Sequence, residues 1–216
     1  NIQQQCYPVK NFYTKINLLE ELLFDKKEFE KVLVFVGTKR GADRVFENLE
    51  ATYQTQLGII HSNKSQNARI KAIEDFDNGT NRILIATDVI ARGLDLDQVS
   101  HVISFDVPEY PENYMHRIGR TGRAEKEGKS ILFYTKKEEE DKVAIESLMK
   151  LQIPEIEFPK DVEISNLLTP EEQPQDKEIN SAHKLSTVDN PGPSYHEKSE
   201  KNQKENLGGS YQRIIA

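Results

Sequence analysis

Eight consecutive residues, His116-Arg117-Ile118-Gly119-Arg120-Thr121-Gly122-Arg123, hold three arginines and two glycines. Glycine permits close backbone approach and positive φ, while arginine presents a planar fork of donors that matches phosphate oxygens and stays charged. The segment suits the presentation of fixed positive charge to a polyphosphate. Three other short segments carry donors of the same kind. Gly37-Thr38-Lys39-Arg40-Gly41 opens a helical pattern whose free N–H groups could hold a phosphate. His61-Ser62-Asn63-Lys64-Ser65-Gln66 is followed by Arg69, and Ala86-Thr87-Asp88-Val89-Ile90-Ala91-Arg92-Gly93-Leu94-Asp95 adds hydroxyl and guanidinium groups. The sequence has no Gly-x-x-x-x-Gly-Lys-Ser/Thr cradle and no Asp-Glu pair after a strand to manage Mg²⁺. The arginines are therefore expected to serve a site that another domain completes.

The elements that must position these segments are visible in the apolar pattern. Val32–Val36, Leu57–Ile60, Ile83–Ala86, Val102–Phe105 and Ser130–Tyr134 are short, β-branched runs without polar alternation, as buried parallel strands require. Ala42, Val45, Phe46 and Leu49 share one helical face after Lys39; Ala68, Ala72, Ile73 and Phe76 share another after Ser65, which suits an N-cap. Phe12 to Phe24 and Glu138 to Leu151 supply a helix at either end, and the acids of 138–141 suit a helix start. Strand and helix in alternation predict an α/β sheet with right-handed crossovers. In such sheets ligands gather at the carboxyl ends of the strands, where the segments that begin at Gly37, His61 and Ala86 fall on three successive strand ends.

The chain has 216 residues, 36% hydrophobic and 30% charged, enough for one domain and an appendage. No apolar run approaches membrane-spanning length and the N-terminus shows no signal pattern, so a cytoplasmic protein without membrane contact is expected. Its formal net charge of -7 is unevenly placed: residues 1–135 carry 18 Lys and Arg against 19 Asp and Glu, and residues 136–216 carry 11 against 17. The domain is thus close to neutral, which leaves nucleic acid open as a partner. Cys6, the lone cysteine, is expected to be a small buried residue. From Ile153 onward prolines interrupt the pattern, and from Ser165 apolar residues are sparse, so 153–164 is expected to be an extended appendage and 165–216 a mostly disordered tail. The abrupt start at Asn1 suggests a fragment.

The order Val-Leu-Val-Phe-Val-Gly-Thr (32–38), His61 with Gln66 and Arg69, Ala-Thr-Asp-Val-Ile-Ala-Arg-Gly-Leu-Asp (86–95) and Tyr-Met-His-Arg-Ile-Gly-Arg-Thr-Gly-Arg (114–123) closely resembles the C-terminal RecA-like domain of DEAD-box ATP-dependent RNA helicases. The resemblance covers residues 1 to about 150, which sets the second RecA-like domain at 1–152, and the long tail resembles the bacterial RhlE-type branch. It implies a RecA-like three-layer α/β/α domain with a mainly parallel central sheet. It further implies that Arg120 and Arg123 reach the terminal phosphates of ATP, with Arg123 the arginine finger. Asp95 and Gly93 meet the nucleotide, Asp95 at the ribose, and His116 couples this site to the other domain. Thr38, Gly41, Gln66, Arg69, Thr87, Arg92 and Gly93 lie along the RNA backbone, so that RNA is held without being read. Mg²⁺ ligands belong to the N-terminal RecA-like domain of the same protein, a monomer is expected, and the chain alone should not hydrolyse ATP.

Plainer roles are weighed beside these. His61 suits a hydrogen-bonded loop histidine, Asp88 an orienting group for Arg92 or a backbone N–H, Tyr114 core packing, and Pro111 the first turn of the motif helix. Arg117 is open between a phosphate contact and a structural ion pair. Two other functions stay open: a stand-alone RNA-binding or regulatory module, and a DNA helicase half of the same superfamily.

Overall fold

A computed structural model describes residues 2–91, 99–122 and 127–174. Six strands, β1 (Ile2–Pro8), β2 (Val32–Phe35), β3 (Leu57–Ile60), β4 (Ile83–Ala86), β5 (His101–Ser104) and β6 (Gly128–Tyr134), form one sheet in the order β1-β6-β5-β2-β4-β3. Every pairing is parallel. The helices are α1 (Phe12–Phe24), α2 (Lys39–Tyr53), α3 (Gln66–Asp77), α4 (Asp88–Ala91), α5 (Pro111–Ile118) and α6 (Glu139–Met149).

Alternation along each strand divides the core between two faces. Val32, Val34, Ile83, Ile85, Ile103 and Phe133 pack under Leu18 and Leu19 of α1 and Val45 and Leu49 of α2. On the opposite face Leu33, Phe35, Leu84 and Ala86 pack with Phe76 of α3, while Cys6 and Leu132 pack with Tyr114 of α5 and Ile145 of α6. The three-layer α/β/α arrangement is the expected one. Ser65 does cap α3, its hydroxyl accepting from Ala68 N–H at 3.2 Å, and Pro111 stands in the first turn of α5.

Residues Ile2–Pro8, absent from the strands expected on the apolar pattern, form a full strand, β1, in register with β6 from Ile2↔Gly128 to Pro8↔Tyr134. Its Gln3-Gln4-Gln5 run conceals it, because an edge strand needs only one well-packed neighbour. The other edge of β1 is covered by the chain after α6: Cys6 N–H donates to the Pro154 carbonyl and Ile156 N–H to the Cys6 carbonyl, both at 2.8 Å. Cys6 is buried, and burial pushes its thiol up to about 11, so it stays protonated and inert.

Residues 165–174, expected to begin a disordered tail, are instead packed on α1. Asn11 donates to the Ser165 carbonyl at 2.7 Å, Ser165 N–H donates to the Thr14 hydroxyl at 3.0 Å, and Thr169 is buried. Polar anchoring replaces the apolar area that this segment lacks. Most of the expected tail, residues 175–216, lies outside the described residues.

At the amino end of the sheet His101 is 2% exposed and its ring stacks on Phe29 at 4.1 Å. Burial first, then Lys129, pushes its pKa from 6.5 to about 4, with Glu28 opposing. The unfolded chain therefore takes up this proton first as pH falls. Stability conferred by neutral His101 is fully present above pH 6.5 and lost towards pH 4. The loss should reach no more than about 3 kcal/mol. Urea denaturation across that pH range should show a shallower fall for His101→Phe; an identical pH profile would refute the assignment.

Candidate nucleic-acid interface

The carboxyl ends of β2 and β4 are neighbours in the sheet, so the segments that follow them converge. After β2, Thr38 adopts an extended backbone and caps α2, its hydroxyl accepting from Gly41 N–H at 3.0 Å. A Cβ at position 41 would lie 3.0 Å from both the Thr38 hydroxyl oxygen and Val36 Cγ1, so glycine is what allows this tight cap. Gly37 N–H is held by Asp106 Oδ2 at 2.9 Å, and Asp106 Oδ1 is in turn paired with Lys15 Nζ at 3.0 Å.

Lys15 ties several loops together. Its buried ammonium also meets Glu138 at 2.8 Å, and Glu138 accepts from the backbone N–H groups of Val107 and Thr135. Against the downward push of burial, the two carboxylates hold Lys15 above the ordinary lysine range. The ends of β2, β5 and β6 are thus fastened to α1 through one cation. The acids near 138 do begin a helical segment, but Glu138 acts beyond that role. Lys15 carries a readable sign of this: it stands one turn before Leu18 and Leu19 on the apolar face of α1.

After β4, Thr87 is buried and Asp88 accepts two hydrogen bonds from Arg117, donated by Nε and Nη2, each at 2.7 Å. Arg117 also donates to the Asp106 carbonyl at 2.7 Å and its guanidinium lies 5.1 Å from the centre of the Phe35 ring. Its side chain is 1% exposed. Arg117 is therefore the structural ion-pair partner, and Asp88 serves it. His116 is exposed, whereas Arg120 is partly buried and shares a small recess with Phe35, Asp88, Ala91 and His116. Gly122 has φ of 71°, a left-handed turn that glycine adopts without strain, immediately before Arg123. Arg92, Gly93, Asp95 and Arg123 lie outside the described residues.

After β3, His61 is buried and its Nδ1 accepts from Asn63 N–H at 3.3 Å, which leaves Nε2 to donate to Asp43 at 2.9 Å. Against the upward push of burial, hydrogen bonds from Lys64 and His61 hold the Asp43 carboxyl below its usual range. This is the loop histidine expected. Gln66 and Arg69 meet through a side-chain hydrogen bond in the first turn of α3. Tyr114 is buried, its hydroxyl donating to Gln4 at 3.0 Å, in accord with core packing.

Thr38, Gly41 and Thr87 meet in one cleft of about 530 Å³. Gln66 and Arg69 stand outside it, on the next strand end. The cleft is also bounded by Lys15, Arg44, Tyr110 and, from the docked segment, Thr169, Glu171 and Glu172. Arg44 and these glutamates were not among the expected site residues, because their spacing in sequence carries no motif. The cleft thus sets the Thr38 and Thr87 hydroxyls beside two paired cations, Lys15 and Arg44, and six carboxylates, those of Asp88, Asp106, Glu109, Glu138, Glu171 and Glu172. Among the described residues no helix is long and apolar enough to cross a membrane, and no cluster of His, Cys, Asp and Glu could hold a metal ion.

Comparison with known proteins accords with this geometry. The family model described as "Helicase conserved C-terminal domain" matches residues 14–125. A DEAD-box ATP-dependent RNA helicase CshA from Bacillus licheniformis is 42% identical over 72% of this chain and 32% of its own length. The chain thus spans about a third of that relative. A DEAD box protein from Methanococcus jannaschii superposes with a TM-score of 0.66 at 40% identity, over 72% of this chain and 42% of the other. Domain 2 of another DEAD-box helicase, solved bound to an RNA duplex, gives 0.65 at 29% identity, over 73% and 64% respectively. With the parallel sheet and the strand-end cleft in place, these matches show that the chain belongs to the helicase conserved C-terminal domain family, as the C-terminal RecA-like domain found in DEAD-box RNA helicases.

Proposed function

We propose that the chain is the C-terminal half of an ATP-dependent DEAD-box RNA helicase, of the RhlE-type branch on the composition of its tail. In this reading it grips the RNA backbone and supplies arginines to an ATP site completed by an N-terminal RecA-like domain. The observation that carries the reading is the convergence of Thr38, Gly41 and Thr87 from adjacent strand ends into a single cleft. The RNA-bound domain among the structural neighbours supports it.

RNA sugar and phosphate would meet Thr38, Gly41 and Thr87, with Gln66 and Arg69 along the next strand end and Arg92 and Gly93 beyond Thr87. Contacts of this kind position a strand without reading its bases. Arg120 and Arg123 would face the terminal phosphates, Asp95 and Gly93 the nucleoside, and His116 the other domain. ATP supplies the phosphoanhydride whose cleavage resets the clamp, and Mg²⁺ would be held by the N-terminal domain. Closure of the two domains on RNA is the step that separates a short duplex. The isolated chain, a monomer, should show no ATP turnover.

The experiment joins this chain to an N-terminal domain bearing the phosphate-binding loop and the Asp-Glu-Ala-Asp motif. RNA-stimulated ATP hydrolysis should appear in the joined protein and be absent from either part. With a non-hydrolysable ATP analogue, RNA should outcompete DNA of the same sequence. Comparable affinity for both would defeat the RNA assignment, and turnover by the chain alone would defeat the half-site.

A further inference from the structure

The segment 163–173 runs as a strap along α1 to the rim of the cleft. Asn17 donates to the Glu163 carbonyl at 2.8 Å, Lys10 to Asn166 at 2.7 Å, and Phe12 N–H to Glu172 Oε1 at 2.7 Å. Glu172 also receives Thr169 N–H at 3.0 Å through its other oxygen, so its carboxylate folds the strap and fastens it to the start of α1. These bonds place Glu171 opposite Arg44. Its two oxygens accept from the two terminal nitrogens of that guanidinium at 2.9 and 3.4 Å.

Among the described residues lining the cleft, Lys15 and Arg44 carry the positive charge. Lys15 is committed to Asp106 and Glu138, and its side chain is 3% exposed. Arg44 differs: it lies one turn beyond Gly41 on α2, braced against the Phe12 ring at 5.5 Å. Its partner Glu171 is 54% exposed. A carboxylate held in a guanidinium fork occupies the position that two phosphate oxygens would take. A surface pair of this kind is weak and screened by salt, so a polyanion can displace it. The partner is also tethered on the strap, so it returns when the polyanion leaves.

We propose that Arg44 is a further RNA-phosphate contact and that Glu171 is a built-in competitor that covers it when RNA is absent. This rests on the RNA-gripping role proposed above. It makes the docked strap an autoinhibitory contact: RNA entering past Thr38 and Gly41 exchanges one anion for another at Arg44, and the strap's carboxylate is released to solvent. Glu172, which holds the strap to α1, need not move.

The test measures binding of a labelled oligouridylate to the full chain by fluorescence anisotropy, for wild type, Glu171→Gln, Arg44→Ala and the double variant. Glu171→Gln should bind RNA about three- to tenfold more tightly, and Arg44→Ala should bind more weakly with a salt dependence shallower by about one phosphate contact. In the Arg44→Ala background, Glu171→Gln should have no further effect. That last comparison separates competition at Arg44 from a general loss of negative charge. A gain that persists without Arg44 overturns the proposal, as does a Glu171→Gln variant no tighter than a wild type that binds; in both cases the RNA grip itself stands. If no variant binds RNA, the grip and the competitor fall together. Arg44 is half-buried and Glu171 exposed, and unchanged thermal unfolding confirms that binding differences are not folding differences.

Discussion

Replacing Arg117 with alanine is expected to lower the unfolding free energy of the chain by about 3–5 kcal/mol, the cost of leaving one member of a buried ion pair without the other. Asp88, 19% exposed in its side chain, would lose both guanidinium hydrogen bonds. The Asp106 carbonyl would lose a third, and the face of Phe35 its cover. Since small domains have only about 5–15 kcal/mol in total, such a loss should be plain in urea denaturation of the isolated chain, with no nucleotide or RNA present. A loss below about 1 kcal/mol would place the pair among weak surface bridges and contradict its burial.

Arg123→Ala should behave in the opposite way. In the joined protein, RNA-stimulated turnover is expected to fall by about 10³–10⁵, the range that an arginine finger contributes in other phosphoryl-transfer enzymes. Unfolding of the chain and RNA affinity should change little, because the role proposed for Arg123 is met only when phosphate charge develops. Turnover at saturating RNA is the measurement, and a wild-type rate would remove the finger assignment. The two substitutions lie six positions apart in one motif. Their separation into a folding defect and a rate defect is itself a test of the division of labour between its arginines.

Much of the architecture was legible because strands buried on both faces must be apolar throughout. Val32–Val36 and Ile83–Ala86 could hardly be anything else, and their helices announce themselves through Ala42, Val45 and Leu49 or through the cap at Ser65. The strand Ile2–Pro8 was less visible, since three glutamines occupy an edge position where one neighbour suffices. The candidate site was legible in its local geometry, as with Thr38 and Gly41 in one cap. It was illegible where it depends on distant partners. Lys15 is separated from Asp106 by 91 positions and from Glu138 by 123, and Asn11 from Ser165 by 154. No local pattern encodes such meetings. Arg117 illustrates the middle case: its chemistry permits either a phosphate or a carboxylate, and only the packing around Phe35 shows which one it holds.

The fork between Arg117 and Asp88 has a mechanical consequence. Asp88 directly follows Thr87, and Arg117 stands three residues before Arg120, so the pair acts as a strut between the turn after β4 and the end of α5. A strut transmits displacement without storing it. If the proposed phosphate contact draws on the arginine loop, a turn of α5 about its axis would pull on the start of α4, and on Thr87 with it. On the roles proposed for Arg120 and Thr87, nucleotide and RNA strand would then be linked through the stiffness of one buried pair.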